Sequence, residues 1–111
     1  MINTRFPVKV TRVVDGDTFY SEPIDFDFGD FRLTIKEPKF RLYGIQAPER
    51  GKPGYQEAKS YIKDILEGHI VLVDVIGKDS FGRFLVKVYC FGQEKSVNDM
   101  LLETGLAVIY H

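Results

Sequence analysis

Three short stretches, far apart in the chain, carry side chains that could do chemistry together: Asp15-Gly16-Asp17-Thr18, the run from Phe40 to Arg50, and Asp79-Ser80-Phe81-Gly82-Arg83. Two carboxylates around a glycine can aim at one hard cation. In the second stretch an arginine, an amide and a glutamate (Arg41, Gln46, Glu49) surround a turn stiffened by Pro48. Proline fixes its own φ and biases the residue before it toward an extended conformation, so a strand through Phe40 is expected to end near Ala47 with its carbonyls turned outward. Arg41 is a residue type that grips phosphate, and Glu49 one that handles a proton. Each stretch also has a plain reading: Asp-Gly between apolar runs makes a hairpin turn, and a Glu-Arg rim makes a solvated strand edge.

The elements that must position these residues can be read from periodicity. Phe6, Val8 and Val10 alternate with Lys9 and Thr11 as a half-buried strand over residues 6–14. Ile24, Phe26 and Phe28 alternate with acids, and Phe31, Leu33 and Ile35 with Arg32 and Thr34, around a Gly29-Asp30 turn. That register pairs Phe28 with Phe31, Phe26 with Leu33 and Ile24 with Ile35, and sets Asp27 against Arg32 on the other face. After a basic loop, Tyr55, Ala58, Tyr61, Ile62, Ile65 and Leu66 recur at helical steps up to Gly68. Strands follow at 70–76 and 84–89, with 77–83 as the loop between them. Ser96 and Asp99 open a second helix with Val97, Met100 and Leu101 inward, and Gly105 closes it. The apolar tail from Leu106 to Tyr110 must pack on something. The order predicts an α+β, mainly β domain over residues 1–111. Its core is a five-stranded antiparallel barrel of the OB-fold type, with a helix between strands 3 and 4, a second helix near the C-terminus and an extended hairpin around 22–35.

Composition narrows the class. The 111 residues are 44% hydrophobic and 28% charged, enough for one core without staples. The single cysteine, Cys90, rules out an internal disulfide and a multi-cysteine zinc site. No apolar run has membrane-spanning length and no leader-like segment opens the chain, so a cytoplasmic protein is expected, or a secreted one if a leader was removed. The net charge of −1 argues against a non-specific grip on polyanions. Its distribution is uneven: residues 36–63 carry an excess of four positive charges, while 19–31 hold Glu22, Asp25, Asp27 and Asp30 with no base. A basic flank beside an acidic hairpin can orient a polyanion.

Taken together and in this order, the three stretches resemble the staphylococcal nuclease (thermonuclease-like) family, over a span from about Val8 to Tyr110 that includes Gly105-Leu106-Ala107. The resemblance implies a Ca²⁺-dependent hydrolase of phosphodiester bonds in DNA and RNA, single strands preferred. It implies Asp17, Gln46 and the carbonyl of Ala47 as calcium ligands, Glu49 as general base, and Arg41 and Arg83 on the phosphate. Thr18, Asp79 and Tyr110 fall on the substrate side, Thr18 backing the ligands and Tyr110 meeting the nucleotide. These types suit the reaction. Negative charge builds on the equatorial oxygens, planar guanidinium forks match those oxygens in pairs, and a hard cation polarises the P–O bond.

The pattern departs from the family at two positions: Gln46 is a neutral amide where an aspartate is common, and Phe81 stands where a tyrosine is common. The first supports an alternative, a catalytically weak or inactive nucleic-acid-binding module on the same fold. A third possibility, a protein-interaction domain using the acidic hairpin, has that hairpin alone behind it. The expected state is a monomer, with pairing of two copies through the 22–35 hairpin as the variant. One substitution tests the ligand assignment: Gln46→Asp should tighten Ca²⁺ binding measured by calorimetry, and an unchanged affinity would remove Gln46 from the ligand set.

Overall fold

A computed structural model describes residues 5–110. In chain order the elements are β1 (Arg5–Asp15), β2 (Thr18–Ser21), β3 (Ile24–Asp27), β4 (Arg32–Ile35), β5 (Lys39–Leu42), β6 (Ile45–Gln46), α1 (Tyr55–Leu66), β7 (Ile70–Lys78), β8 (Phe84–Tyr89), α2 (Val97–Glu103) and β9 (Val108–Ile109). Five strands close a barrel in the order β1-β2-β5-β8-β7. Every pair in it is antiparallel except the closing one, where β5 and β8 run parallel with Phe40 opposite Phe84 and Leu42 opposite Val86. This is the OB-type architecture expected from the element order, with α1 between the third and fourth barrel strands.

Alternation along the strands sends Val10, Phe19, Phe40, Leu42, Val73, Val86 and Val88 inward, all fully buried, and the Phe19 and Phe40 rings stack at 5.0 Å. Burial of side chains of this size stabilises by about 1.5–3 kcal/mol each. The same alternation sends Thr18, Tyr20, Lys39 and Arg41 to the outer face of β2 and β5. α1 lays Ala58, Ile62 and Leu66 against the barrel. The α2 start is capped as expected, the Ser96 hydroxyl accepting from the Asp99 N–H at 3.1 Å.

The ribbon β3–β4 has the register anticipated from its alternation. Ile24 faces Ile35, Phe26 faces Leu33 and Asp27 faces Arg32, while the Phe28 and Phe31 rings stack at 4.9 Å beyond the last pair. Phe26 meets Phe6 of β1 edge-on at 5.9 Å, which anchors the ribbon base.

Two strand boundaries differ from expectation. The run from Phe40 toward Pro48 is not one strand: it breaks at Tyr43-Gly44, where Gly44 takes φ 79°. The reason is a partner that the periodicity did not reveal. β6 turns aside to pair with β9, so the tail packs by Leu106 and Ala107 on the core and by backbone pairing beyond them, and Val108 and Ile109 keep their side chains exposed. Also, β7 continues through Gly77 and Lys78, past the expected end at Ile76, because an irregularity between Val75 and Gly77 restores its pairing with β8.

Asn98 of α2 was not foreseen as an interior residue. Its Oδ1 accepts from the Val88 N–H at 3.1 Å, and its Nδ2 donates to the carbonyls of Tyr43 and Val86 at 2.9 and 3.0 Å. This buried amide ties the end of β5 to β8, the two strands that lead to Arg41 and Arg83.

Gly16, between β1 and β2, sits tight against α1 and Ala47. A Cβ added there would lie 2.8 Å from the Cβ atoms of both Ala47 and Ala58. Gly16→Ala should therefore cost about 1–3 kcal/mol in urea unfolding, the range for an overpacked site; a neutral effect would show that α1 can withdraw without loss.

Candidate active site

The three stretches meet in one open cleft of about 580 Å³, lined among others by Asp17, Thr18, Arg41, Gln46, Ala47, Glu49, Asp79, Arg83 and Tyr110. All nine residues singled out from the sequence line it. Fold topology explains the convergence. Thr18 pairs with Arg41 across β2 and β5, Arg41 pairs with Leu85 across β5 and β8, and Arg83 enters at the start of β8.

Asp17 is the most constrained of the group. Its Oδ1 accepts from the Thr18 hydroxyl at 3.1 Å, its Oδ2 accepts from the Ala47 N–H at 3.1 Å, and its backbone carbonyl accepts from the Leu42 N–H at 2.9 Å. The Arg41 guanidinium stands 3.5 Å from Oδ2, both side chains being only 11% exposed. Arg41 is engaged on several sides: Nη1 donates to the carbonyls of Leu42 and Ile45, Nη2 donates to Oε1 of Gln46 at 3.1 Å, and the cation lies over the Tyr110 ring. Of its five N–H groups, Nε–H and one on Nη2 have no partner among the described residues.

Arg83 is held differently. Its Nε donates to Oδ2 of Asp79 at 2.6 Å, while Asp79 Oδ1 accepts from the amides of Phe81 and Arg83 at 2.9 Å. Its two terminal nitrogens have no partner among the described residues, and the guanidinium lies over the exposed ring of Phe81. Glu49 is exposed at the cleft rim, and its carboxylate makes no hydrogen bond or ion pair among the described residues.

The donor chemistry fits a hard cation. Asp17 carboxylate, Ala47 carbonyl and Gln46 amide offer oxygen only, and each of these oxygens has lone-pair capacity beyond the bonds just described. Among the described residues no three His, Cys, Asp or Glu side chains converge. An ion here would complete its shell from water and substrate.

The two aspartates of the first stretch do not act as a pair here: Asp15, expected beside Asp17 on one cation, lines the cleft with Arg50 but has a partner that sequence reasoning missed. Asp15 Oδ1 accepts from the buried Tyr55 hydroxyl at 2.7 Å, and Arg50 lies over the Tyr55 ring. Tyr55 counted only as a core-facing residue of the helix stripe. The available signal was its position at the helix start, since the hydroxyl of a buried tyrosine needs a partner.

Comparison with known proteins adds an independent line. A family model described as staphylococcal nuclease homologue matches residues 39–111. Endonuclease Htp3 of Saprolegnia parasitica is 31% identical over 115 residues, covering 92% of this chain and 54% of that protein. Staphylococcal-like nuclease CAN1 of Arabidopsis thaliana is 34% identical over 83 residues, covering 75% and 25%. An uncharacterized endonuclease of Escherichia coli is 30% identical over 102 residues, covering 92% and 60%. The chain thus spans a quarter to three-fifths of the length of these relatives.

The Asp79 loop is testable by pH. Burial alone would push the Asp79 carboxyl up, but hydrogen bonds from the Arg83 amide, the Arg83 side chain and the Phe81 amide outweigh it and hold the group below its ordinary range. A carboxyl depressed in the fold contributes stability that is full above the unfolded value, about 3.9, and is lost as pH falls through the lower folded value. The stability gap between wild type and Asp79→Asn should therefore be constant near neutrality and close below about pH 4, read by urea unfolding across pH. A gap independent of pH would contradict the assignment.

Proposed function

This chain belongs to the staphylococcal nuclease homologue family, and from that premise we propose that it is a nuclease hydrolysing phosphodiester bonds of DNA and RNA, with calcium as cofactor and single strands as the preferred substrate. The observation that carries this reading is the convergence of Asp17, Arg41, Glu49 and Arg83 on one cleft.

Each residue has a share in the chemistry. The rim position of Glu49, with both carboxylate oxygens unpartnered among the described residues, suits it to orient a water against the phosphorus and to take its proton as the new P–O bond forms. The bond to the leaving sugar oxygen breaks on the opposite side, and that oxygen is protonated from solvent. Arg83, its Nε fixed by Asp79 and its terminal nitrogens open, is built to take two equatorial oxygens as charge accumulates on them. Arg41 supplies a second fixed positive charge with its two remaining N–H groups. Asp17, the Ala47 carbonyl and Gln46 are the groups to hold the cation, which when bound polarises the phosphoryl oxygen. Tyr110, lying against Arg41, and Phe81, lying against Arg83, offer ring faces to the nucleotide on either side.

A second reading, a nucleic-acid-binding module with little catalysis, is favoured by one observation: Gln46 gives the site a neutral oxygen, already accepting from Arg41. One experiment separates the two. Glu49→Gln should lower kcat on single-stranded DNA by ~10²–10⁴-fold and Arg83→Ala by ~10²–10³-fold, and chelation should stop cleavage. Binding of DNA without cleavage, indifferent to both substitutions, would establish the module.

A further inference from the structure

Beyond the cleft, the outer face of the barrel carries a cation–aromatic–cation rung that the chemistry above does not use. Arg12, Tyr20 and Lys39 stand opposite one another across β1, β2 and β5, Arg12 pairing with Tyr20 and Tyr20 with Lys39. The Arg12 guanidinium lies 4.8 Å from the Tyr20 ring centroid and the Lys39 ammonium 5.5 Å from it. Neither cation forms an ion pair among the described residues. Glu22, just beyond β2, is paired with Lys9 at 3.9 Å, and Glu67 beside Arg12 accepts from the Val13 N–H at 3.0 Å.

The rung adjoins the cleft. Thr18 and Arg41, which line it, pair two residues further along the same two strands and therefore share the outer face with Tyr20 and Lys39. Two residues along a strand are about 7 Å, close to the separation of successive phosphates in an extended single strand. Because Phe40 pairs with Phe84, Lys39 and Arg83 also occupy neighbouring positions on β5 and at the entrance to β8. A ring that holds two cations over it, neither in an ion pair among the described residues, limits their side-chain freedom while keeping their charge for a ligand.

We propose that Arg12, Tyr20 and Lys39 form a phosphate-gripping track that carries a polynucleotide strand out of the cleft across β2 and β1. The inference rests on the nucleic-acid reading of the cleft and adds to it a second contact region, so that affinity depends on strand length. Its partner is the sugar–phosphate backbone of single-stranded DNA or RNA, gripped without base preference. Tyr20 acts as a positioning residue, setting the two cations at a fixed separation.

The test is anisotropy of a labelled twelve-residue oligothymidylate and of a labelled thymidine dinucleotide, both in chelator so that nothing is cleaved. Arg12→Ala with Lys39→Ala should weaken the twelve-mer about 10-fold or more and leave the dinucleotide within twofold. The slope of log affinity against log salt should fall by about 1.4 for the twelve-mer, roughly 0.7 for each cation lost from a single-strand contact. Arg12→Lys with Lys39→Arg should restore most of both, and Tyr20→Leu should weaken the twelve-mer while leaving the salt slope in place. A double alanine variant that binds the twelve-mer like wild type, or loses equal affinity for both ligands, overturns the track. A wild-type chain that binds neither oligonucleotide overturns the nucleic-acid reading beneath it. Thermal unfolding of each variant guards against misfolding; a lowered midpoint with unchanged binding makes the rung a stabilising surface contact only, and the track is then rejected.

Discussion

The buried pairing of Asp17 with Arg41 is the constraint on which the rest of the site depends. Two opposite charges in a nearly closed space are costly to desolvate, and their net worth to stability is small. What they fix is geometry. Asp17 holds the β1–β2 turn to the Ala47 amide, and Arg41 gathers the carbonyls on either side of the Tyr43-Gly44 break. Remove either and the other is left as an uncompensated buried charge, a loss of about 3–5 kcal/mol. The walls of the cleft are thus joined by the same groups that face its interior.

The two arginines illustrate how one residue type serves two purposes. Arg41 is enclosed and satisfied on most sides, so its charge is constant and its position barely adjustable. Arg83 is tethered at one nitrogen on a loop and keeps its fork open. Gln46 belongs to the same arrangement: an aspartate there would meet Arg41 as a second acid, whereas the amide accepts one bond and leaves Asp17 as the nearest negative charge to the guanidinium. The neutral residue therefore preserves the local arrangement while reducing the attraction for a cation.

Much of this was legible in the residues. Alternation placed the ribbon register, and helical spacing gave α1 and the Ser96 cap. The three polar stretches hold eight of the nine cleft residues singled out in advance, and the ninth, Tyr110, came from the resemblance at the tail. What escaped has a common physical cause. The break at Gly44, the β6–β9 pairing and the Asn98 clamp are all long-range: the turn of β6 depends on a tail some sixty positions later, and a buried asparagine in a helix looks like any surface polar residue until its three backbone partners are known. The Tyr55–Asp15 contact is likewise a meeting of separate elements. Local periodicity reports which face a residue takes and is silent about what waits there.

The β3–β4 ribbon departs from the barrel after Ser21 and rejoins it at Lys39, in an object measuring 50 × 28 × 28 Å. Barrel closure is completed without it, since β2 and β5 pair directly from Tyr20 and Lys39 onward. The excursion is tied to the barrel at its base, by Phe26 on Phe6, Ile24 on the core, Glu22 on Lys9 and the Pro38 carbonyl on the Ser21 amide. Beyond that base its length and tip can change, or accept a grafted segment, while the rungs that set the cleft stay in register.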